Sequence, residues 1–324
     1  MFSGEIQMVT LILTHLTGIY PRSENTVTIT RAFDRGKASR EDVDRAIQAD
    51  LSNLIAVQTN AGLDLVVDGQ LTWQDIFRPF SEILTGITPG TLTRWFDNNT
   101  FYRKPEVKGK ITLGEKSSID RYFRGDRLPD KQKKAILPGP FTFAYASQNE
   151  MHTKFSDLVD DFAHALGEII VELEKRGYRC IQFNEPYLTS NTNKTDLEHA
   201  KNAYGILKRN GSKSIIQTYF NDVQNIIVNL LDFPVDCIGL DLYATPIESV
   251  NQYSFTKELN CGCIDGRNSL LESVQEIKSL VERVQIAISP KALYVSPNCD
   301  LEFLPSQIAE RKTQLLRELK NQVE

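Results

Sequence analysis

SKSIIQTYFNDVQNIIVNLL, residues 212–231, moves from a short apolar strand pattern through Gln217, Thr218, Tyr219 and Phe220 into a run with helical spacing. Such a passage from buried strand to helix is one βα unit of a parallel sheet. Its strand end offers an amide, a hydroxyl and a phenol, with no strong acid, base or metal ligand.

The same alternation runs outward in both directions. Strand patterns fall at 8–15, 63–68, 135–143, 179–184, 214–220, 237–242, 259–264 and 292–296. Helical patterns fall at 40–61, 73–84, 156–176, 196–209, 222–231, 270–284 and 305–320. In the stretch 156–176, Leu158, Val159, Phe162, Leu166, Ile169, Ile170 and Leu173 recur every three or four residues and form one apolar stripe, as a helix covering a barrel wall requires. Eight strands with helical crossovers, and no G-x-G-x-x-G after the first, predict one (β/α)8 barrel spanning residues 1–324 in place of an open doubly wound sheet.

One interval breaks the rhythm. Roughly fifty residues, about 85–134, separate the second and third strands, far more than an ordinary connection. Its first part, with TRWFDNN and YRKPE, is aromatic enough to pack, whereas residues 108–134 are charge-rich and are expected to be exposed.

Composition narrows the class. The chain has 324 residues, 41% of them hydrophobic and 24% charged, with a net charge of -5, which fits a soluble globular protein and gives no basic excess for nucleic acid. No apolar run is long enough to span a membrane, and residues 1–18 lack the basic start of a secretory signal. Cys180, Cys237, Cys261, Cys263 and Cys299 are odd in number and four of them sit in or beside apolar runs, so the expectation is a reduced compartment, with most of them inert buried thiols, in a cytoplasmic protein.

In a (β/α)8 barrel the reaction site lies at the carboxyl ends of the strands. The strings there are GIYPR, LDLVVDGQLTW, TRWFDNN, YRKPE, LPGPFTF, IQFNEPYL, QTYFNDV, GLDLYA, CIDGRN and LYVSPNC. In this order they resemble cobalamin-independent methionine synthase, a two-barrel enzyme that moves a methyl group from a methyltetrahydrofolate polyglutamate to homocysteine on zinc. TRWFDNN, TYF and DGRN resemble its amino-terminal barrel, which carries no zinc and is implicated in holding the folate tail.

The resemblance implies a role in methionine biosynthesis: a methyl-donor barrel working beside a separate zinc-bearing catalytic barrel, with a methylated pterin as substrate and no tightly bound cofactor. At the places of the zinc ligands stand Gln217, Tyr219, Asp241 and Cys299, of which only the last two are plausible ligands, so zinc is not expected here. Asn184 replaces the first acid of the family's DEPAL motif, and Glu185 persists. Arg94 takes the place of a tail-binding lysine before Trp95, while Arg22 and Arg31 are what remains of a basic run after the first strand.

Three residues are candidates for chemistry: Glu185, Asp241 and Cys299. Asp68, Glu185 and Asp241 are expected to converge at the barrel mouth, where neighbouring carboxylates serve acid–base work or anchor loops. Arg22, Asp68, Arg94, Trp95, Asn184, Gln217, Tyr219 and Arg267 are the candidate ligand-binding residues. His15 either enters the site or is a structural histidine, and the aromatics around Trp95 either bind a ligand or partner or form the insertion's own core. A displaced metal site from Cys263, Cys299 and Asp241 is the alternative to inert thiols. Two further functions stay open: an autonomous methyltransferase using a corrinoid or modified pterin, and a uroporphyrinogen decarboxylase-like enzyme or binding scaffold.

Overall fold

The computed structural model describes residues 11–129, 132–190 and 192–323. In chain order the elements begin with β1 (Ile12–Thr14), α1 (Glu24–Asp34), α2 (Arg40–Asn60) and β2 (Leu65–Val66). There follow α3 (Phe80–Ile83), β3 (Leu84–Arg94), β4 (Phe101–Leu113), α4 (Ser118–Tyr122), β5 (Gln132–Pro138), α5 (Pro140–Ala146) and β6 (Gln148–Asn149). The chain continues through α6 (Phe155–Lys175), β7 (Tyr178–Asn184), α7 (Lys194–Leu207), β8 (Lys213–Gln217), α8 (Ile227–Leu231) and β9 (Cys237–Asp241). It ends with β10 (Glu258–Ile264), α9 (Val274–Ile288), β11 (Leu293–Pro297) and α10 (Ser306–Val323).

Eight strands form one sheet in the order β1-β11-β10-β9-β8-β7-β5-β2, every neighbouring pair parallel. The two ends of that order meet. Asp64 donates its backbone N–H to Thr14 O at 3.0 Å, and its carboxylate accepts the N–H of Thr14 at 2.8 Å. The sheet thereby curls into a nearly closed (β/α)8 barrel.

Alternation along each strand sorts side chains into two cores. Outward residues such as Ile181, Ile216, Ile238, Leu240, Cys261 and Cys263 pack beneath the helices. Inward, Leu65, Cys180, Ile215, Cys237 and Tyr294 form an apolar layer inside the barrel. Below it Lys213 closes the amino-terminal end through Glu258 at 2.7 Å and the Tyr294 hydroxyl at 2.9 Å. Gly262 is the close approach in this wall: an added Cβ would stand 2.6 Å from Asn298 Cα and 2.8 Å from Leu240 O. Gly262→Ala is accordingly expected to destabilise the barrel by about 2 kcal/mol, measured as a lower urea midpoint with unchanged slope.

Several boundaries differ from the sequence reading. Residues 8–10 of the first predicted strand lie outside the described residues. The strand predicted at 135–143 ends at Pro138, and Pro140 opens α5 as a first-turn proline should. The helix predicted at 73–84 shrinks to α3, because the Asp75 carboxylate takes the N–H groups of Phe77 and Arg78 and holds the segment in a turn. The helix at 222–231 keeps only α8, with Asp222 capping Gln224 N in the same manner. Conversely, α1 forms from a stretch rich in β-branched residues, since Ser23 caps it and Thr26 is buried under it.

The long interval holds an antiparallel hairpin of β3 and β4, with β6 added beside β4. Trp95, at the turn, packs edge to face on Tyr102 and Phe77, and those two meet at a tilt. The expectation that 108–134 is merely exposed is corrected: β4 runs on to Leu113, and Ile119, Tyr122, Phe123 and Leu128 are buried. Trp73 donates its indole N–H to Tyr122 O at 2.9 Å and meets Phe123 edge-on. The apolar residues of that charged segment are few, but all of these face inward.

Candidate functional site

The carboxyl ends of the barrel strands gather a ring of buried acids and amides. At the end of β7, Glu185 is fully buried, and its carboxylate accepts the N–H groups of Phe141 at 3.1 Å and Thr142 at 2.7 Å and the Tyr204 hydroxyl at 3.1 Å. It therefore caps the first turn of α5, whose own residues offer no side-chain cap. Only glycine fits opposite: a Cβ at Gly139 would lie 2.1 Å from the Glu185 carboxylate. Burial pushes the Glu185 carboxyl up to about 7, against the pull of its hydrogen bonds.

Asp241 ends β9 and accepts the N–H groups of Phe220, Tyr243 and Ala244 and the side-chain amide of Asn298. Asp68, just after β2, accepts the N–H groups of Gln70 and Arg124. Burial raises both carboxyls, and both serve as loop anchors in this arrangement. Cys299 is buried beside Asp300 and Asp241, and burial holds its thiol well above its ordinary value, so it is neither a ready nucleophile nor a ready thiolate ligand.

At the end of β8, Gln217 donates to Thr218 O at 3.1 Å and Asn298 O at 3.3 Å and accepts from Asn260 at 2.6 Å. Two residues on, the Tyr219 hydroxyl is buried without a hydrogen-bond partner, in the field of Asp300, Cys299, Glu302 and Glu185. A buried phenol without a partner in a ring of acids is the point of the mouth best suited to meet a ligand's polar group. Asp300 and Glu302 are themselves raised by burial, and Glu302 faces Arg22.

Arg22 lies where β1 gives way to α1, in a cavity of about 880 Å³ that also takes in Tyr20, Ser23, Arg31, Glu302 and Ser306. Two arginines there provide charge for an acidic group, opposed by Glu302 and Glu24. Arg94 is exposed on the hairpin with its guanidinium 5.8 Å from the Phe101 ring, away from this cavity. Trp95 is buried at the hairpin's turn and is part of its core.

The hairpin tip leans over the mouth. Phe96, held at a φ of 50°, packs on Tyr187 at 4.6 Å and Phe220 at 5.0 Å. Arg267 stacks on Phe220 from the other side and reaches Asp97 at 4.0 Å. Cys263 points outward into the helix layer, unlike Cys299. Among the described residues no three His, Cys, Asp or Glu side chains converge as a metal ion would require.

Four residues of this region were missed in the strand-end reading: Lys134, Gln182, Asn260 and Asn298. All are buried polar side chains inside the barrel. Lys134 and Gln182 lie below the mouth, and their signal was alternation, since each occupies an inward position among apolar residues.

Comparisons with known proteins agree with this layout. The chain is 28% identical over 308 residues to a methionine synthase of Saccharolobus solfataricus, covering 93% of this chain and 92% of that one. It is 27% identical to a methionine synthase of Sulfolobus acidocaldarius, covering 94% and 90%. Among solved structures, a B12-independent methionine synthase from Shewanella sp. W3-18-1 in complex with selenomethionine superposes with a TM-score of 0.78 at 20% identity, covering 97% of this chain and 98% of that one. A putative vitamin-B12 independent methionine synthase from Listeria monocytogenes gives a TM-score of 0.74 at 16% identity, covering 98% and 99%. The family model for the amino-terminal domain of cobalamin-independent synthase matches residues 84–289, well over half of the sequence, and the chain belongs to that family.

Proposed function

We propose that this barrel serves methionine biosynthesis as the methyl-donor half of a cobalamin-independent methionine synthase, acting beside a separate zinc-bearing barrel that activates homocysteine. The observation that carries this reading is the end of β8. Where the zinc-bearing barrel of the family presents a His-x-Cys pair, this chain presents Gln217, an amide committed to three internal hydrogen bonds, and Tyr219, a buried phenol.

The remaining two positions fit zinc no better. Asp241 is engaged by four donors, and the buried Cys299 thiol resists the deprotonation that zinc ligation needs. No step of the reaction is therefore assigned to a metal in this barrel. Its own contribution is to bind a methylated pterin and to present the methyl group to a thiolate held by the partner.

The cavity at Arg22 and Arg31 supports an acidic tail on that donor. Arg22→Ala is expected to weaken binding of 5-methyltetrahydropteroyltriglutamate about tenfold or more, by loss of a charge-assisted hydrogen bond. Calorimetric titration of both proteins checks this, and equal affinities contradict a tail at that place.

The activity test mixes purified components. The chain alone is expected to give background transfer to homocysteine, and addition of a zinc-bearing methionine synthase barrel to restore it. Full activity alone, with stoichiometric zinc by elemental analysis that disappears in Cys299→Ser, overturns the proposal.

A further inference from the structure

Beneath the mouth, the barrel interior holds a lysine. Lys134 projects inward from β5, is 1% exposed, and donates to Leu16 O, to Gln182 Oε1 at 2.6 Å and towards His15 Nδ1 at 2.7 Å. These are three acceptors for the three N–H bonds of an ammonium.

Two sets of contacts leave this cation, and the first has only one consistent direction. In the first, Gln182 turns Oε1 to Lys134, so its Nε2 faces away; it donates at 2.7 Å both to Thr17 O and to Asn184 Oδ1. Thr17 O is a backbone carbonyl and accepts only, which fixes the Gln182 amide from the far side in the same sense. Asn184 then turns its Nδ2 away from Gln182, with one N–H leaning on Thr17 O at 3.5 Å and the other left over.

The second runs through His15. Gln217 donates to two backbone carbonyls, so its Oε1 accepts from Asn260 Nδ2 at 2.6 Å, leaving Asn260 Oδ1 turned back. Asn260 Oδ1 and His15 Nε2 are buried atoms without a hydrogen-bond partner among the described residues. His15 Nδ1 faces both Lys134 Nζ at 2.7 Å and Leu16 O at 3.0 Å, a carbonyl that only accepts, so this side fixes no direction.

The geometry points to Lys134 as a positioning residue: its buried amine holds the direction of the Gln182 chain, so that at the end of β7 Asn184 keeps an N–H donor for the mouth. The ligand group met there is an acceptor, a carboxylate or carbonyl oxygen, and not an ammonium. This inference rests on the mouth being the ligand site, but not on which methyl donor or partner it serves.

The test uses the full chain without ligand. Side-chain amides are labelled with 15N on Asn and Gln, and their resonances and hydrogen exchange are followed. In Lys134→Met, exchange of the Gln182 and Asn184 side-chain amides is expected to rise about tenfold or more, as loss of a hydrogen bond to a charged group requires. Ile286→Ser, on the exposed face of α9, leaves them unchanged. Unaltered amide exchange in a folded Lys134→Met protein overturns the proposal.

Should that variant fail to fold, the wild-type protein decides by itself. His15, Cys180 and Cys237 are the titratable groups facing Lys134 from β1 and its end, β7 and β9. Titration from about pH 6 to 9 is expected to move the Gln182 and Asn184 amide resonances with one shared midpoint, because one group orders both. Separate midpoints, or none, overturn it.

Discussion

Glu185→Ala is expected to lower the unfolding free energy by about 3 kcal/mol. Alanine orphans the N–H groups of Phe141 and Thr142 and the Tyr204 hydroxyl, each buried and each worth about 1–3 kcal/mol when left unmade. Against that stands relief of the desolvated carboxylate, which reduces the sum. Glu185→Gln separates these effects, because its oxygen still accepts one N–H and its amide carries no charge. Urea unfolding at about pH 5, where the folded wild type is protonated and as uncharged as the amide, should therefore place wild type and the Gln variant close together and Ala below both. Equal stability of the Ala variant and wild type would contradict the capping role.

The second large effect is a dip in stability near neutral pH. Folded Glu185 keeps its proton up to about 7, against an ordinary 4.5, so the folded state holds more protons between those values. Stability is then full below about pH 4.5 and is lost as pH rises towards 7, by about 3 kcal/mol from this residue alone. Asp68, Asp75 and Asp241 are displaced in the same direction by burial.

Lys134 has the opposite sense. Its folded value is held down to about 7 from 10.5, so above 7 the unfolded chain binds more protons and stability climbs with pH. Unfolding measured at about pH 5, 7.5 and 9.5 is expected to give the lowest value in the middle. Glu185→Gln should flatten the acid limb and Lys134→Met the alkaline one. A steady rise from pH 5 to 7.5 contradicts the assignment to Glu185.

The barrel was legible because strands buried on both faces write themselves as short apolar runs, and β7 to β11 were found to within a few residues. What hid was decided by contacts across the chain. The turn at Asp75 and the first turn of α5 both depend on where one carboxylate sends its oxygens, and spacing does not encode that choice. Of the candidate site residues, Asn184, Glu185, Gln217, Tyr219, Asp241 and Cys299 do line the mouth region, because strand ends point there in any such barrel. Arg94 and Trp95 illustrate the limit: adjacent in sequence, one is exposed on the hairpin and the other is buried at its turn.

The join between β1 and β2 gives the barrel a seam unlike its other seven junctions. Among the described residues one backbone hydrogen bond and one carboxylate hold the strands, with Tyr20 N–H to Gly69 O at 2.9 Å just beyond them, and the second oxygen of that carboxylate is gripped at 2.7 Å by Lys320, in the last turns of α10. The carboxy-terminal helix thus latches the first strand to the second. Shortening that helix removes the latch without touching any strand, and the cylinder would first gape between β1 and β2, directly beside Arg22 and its cavity.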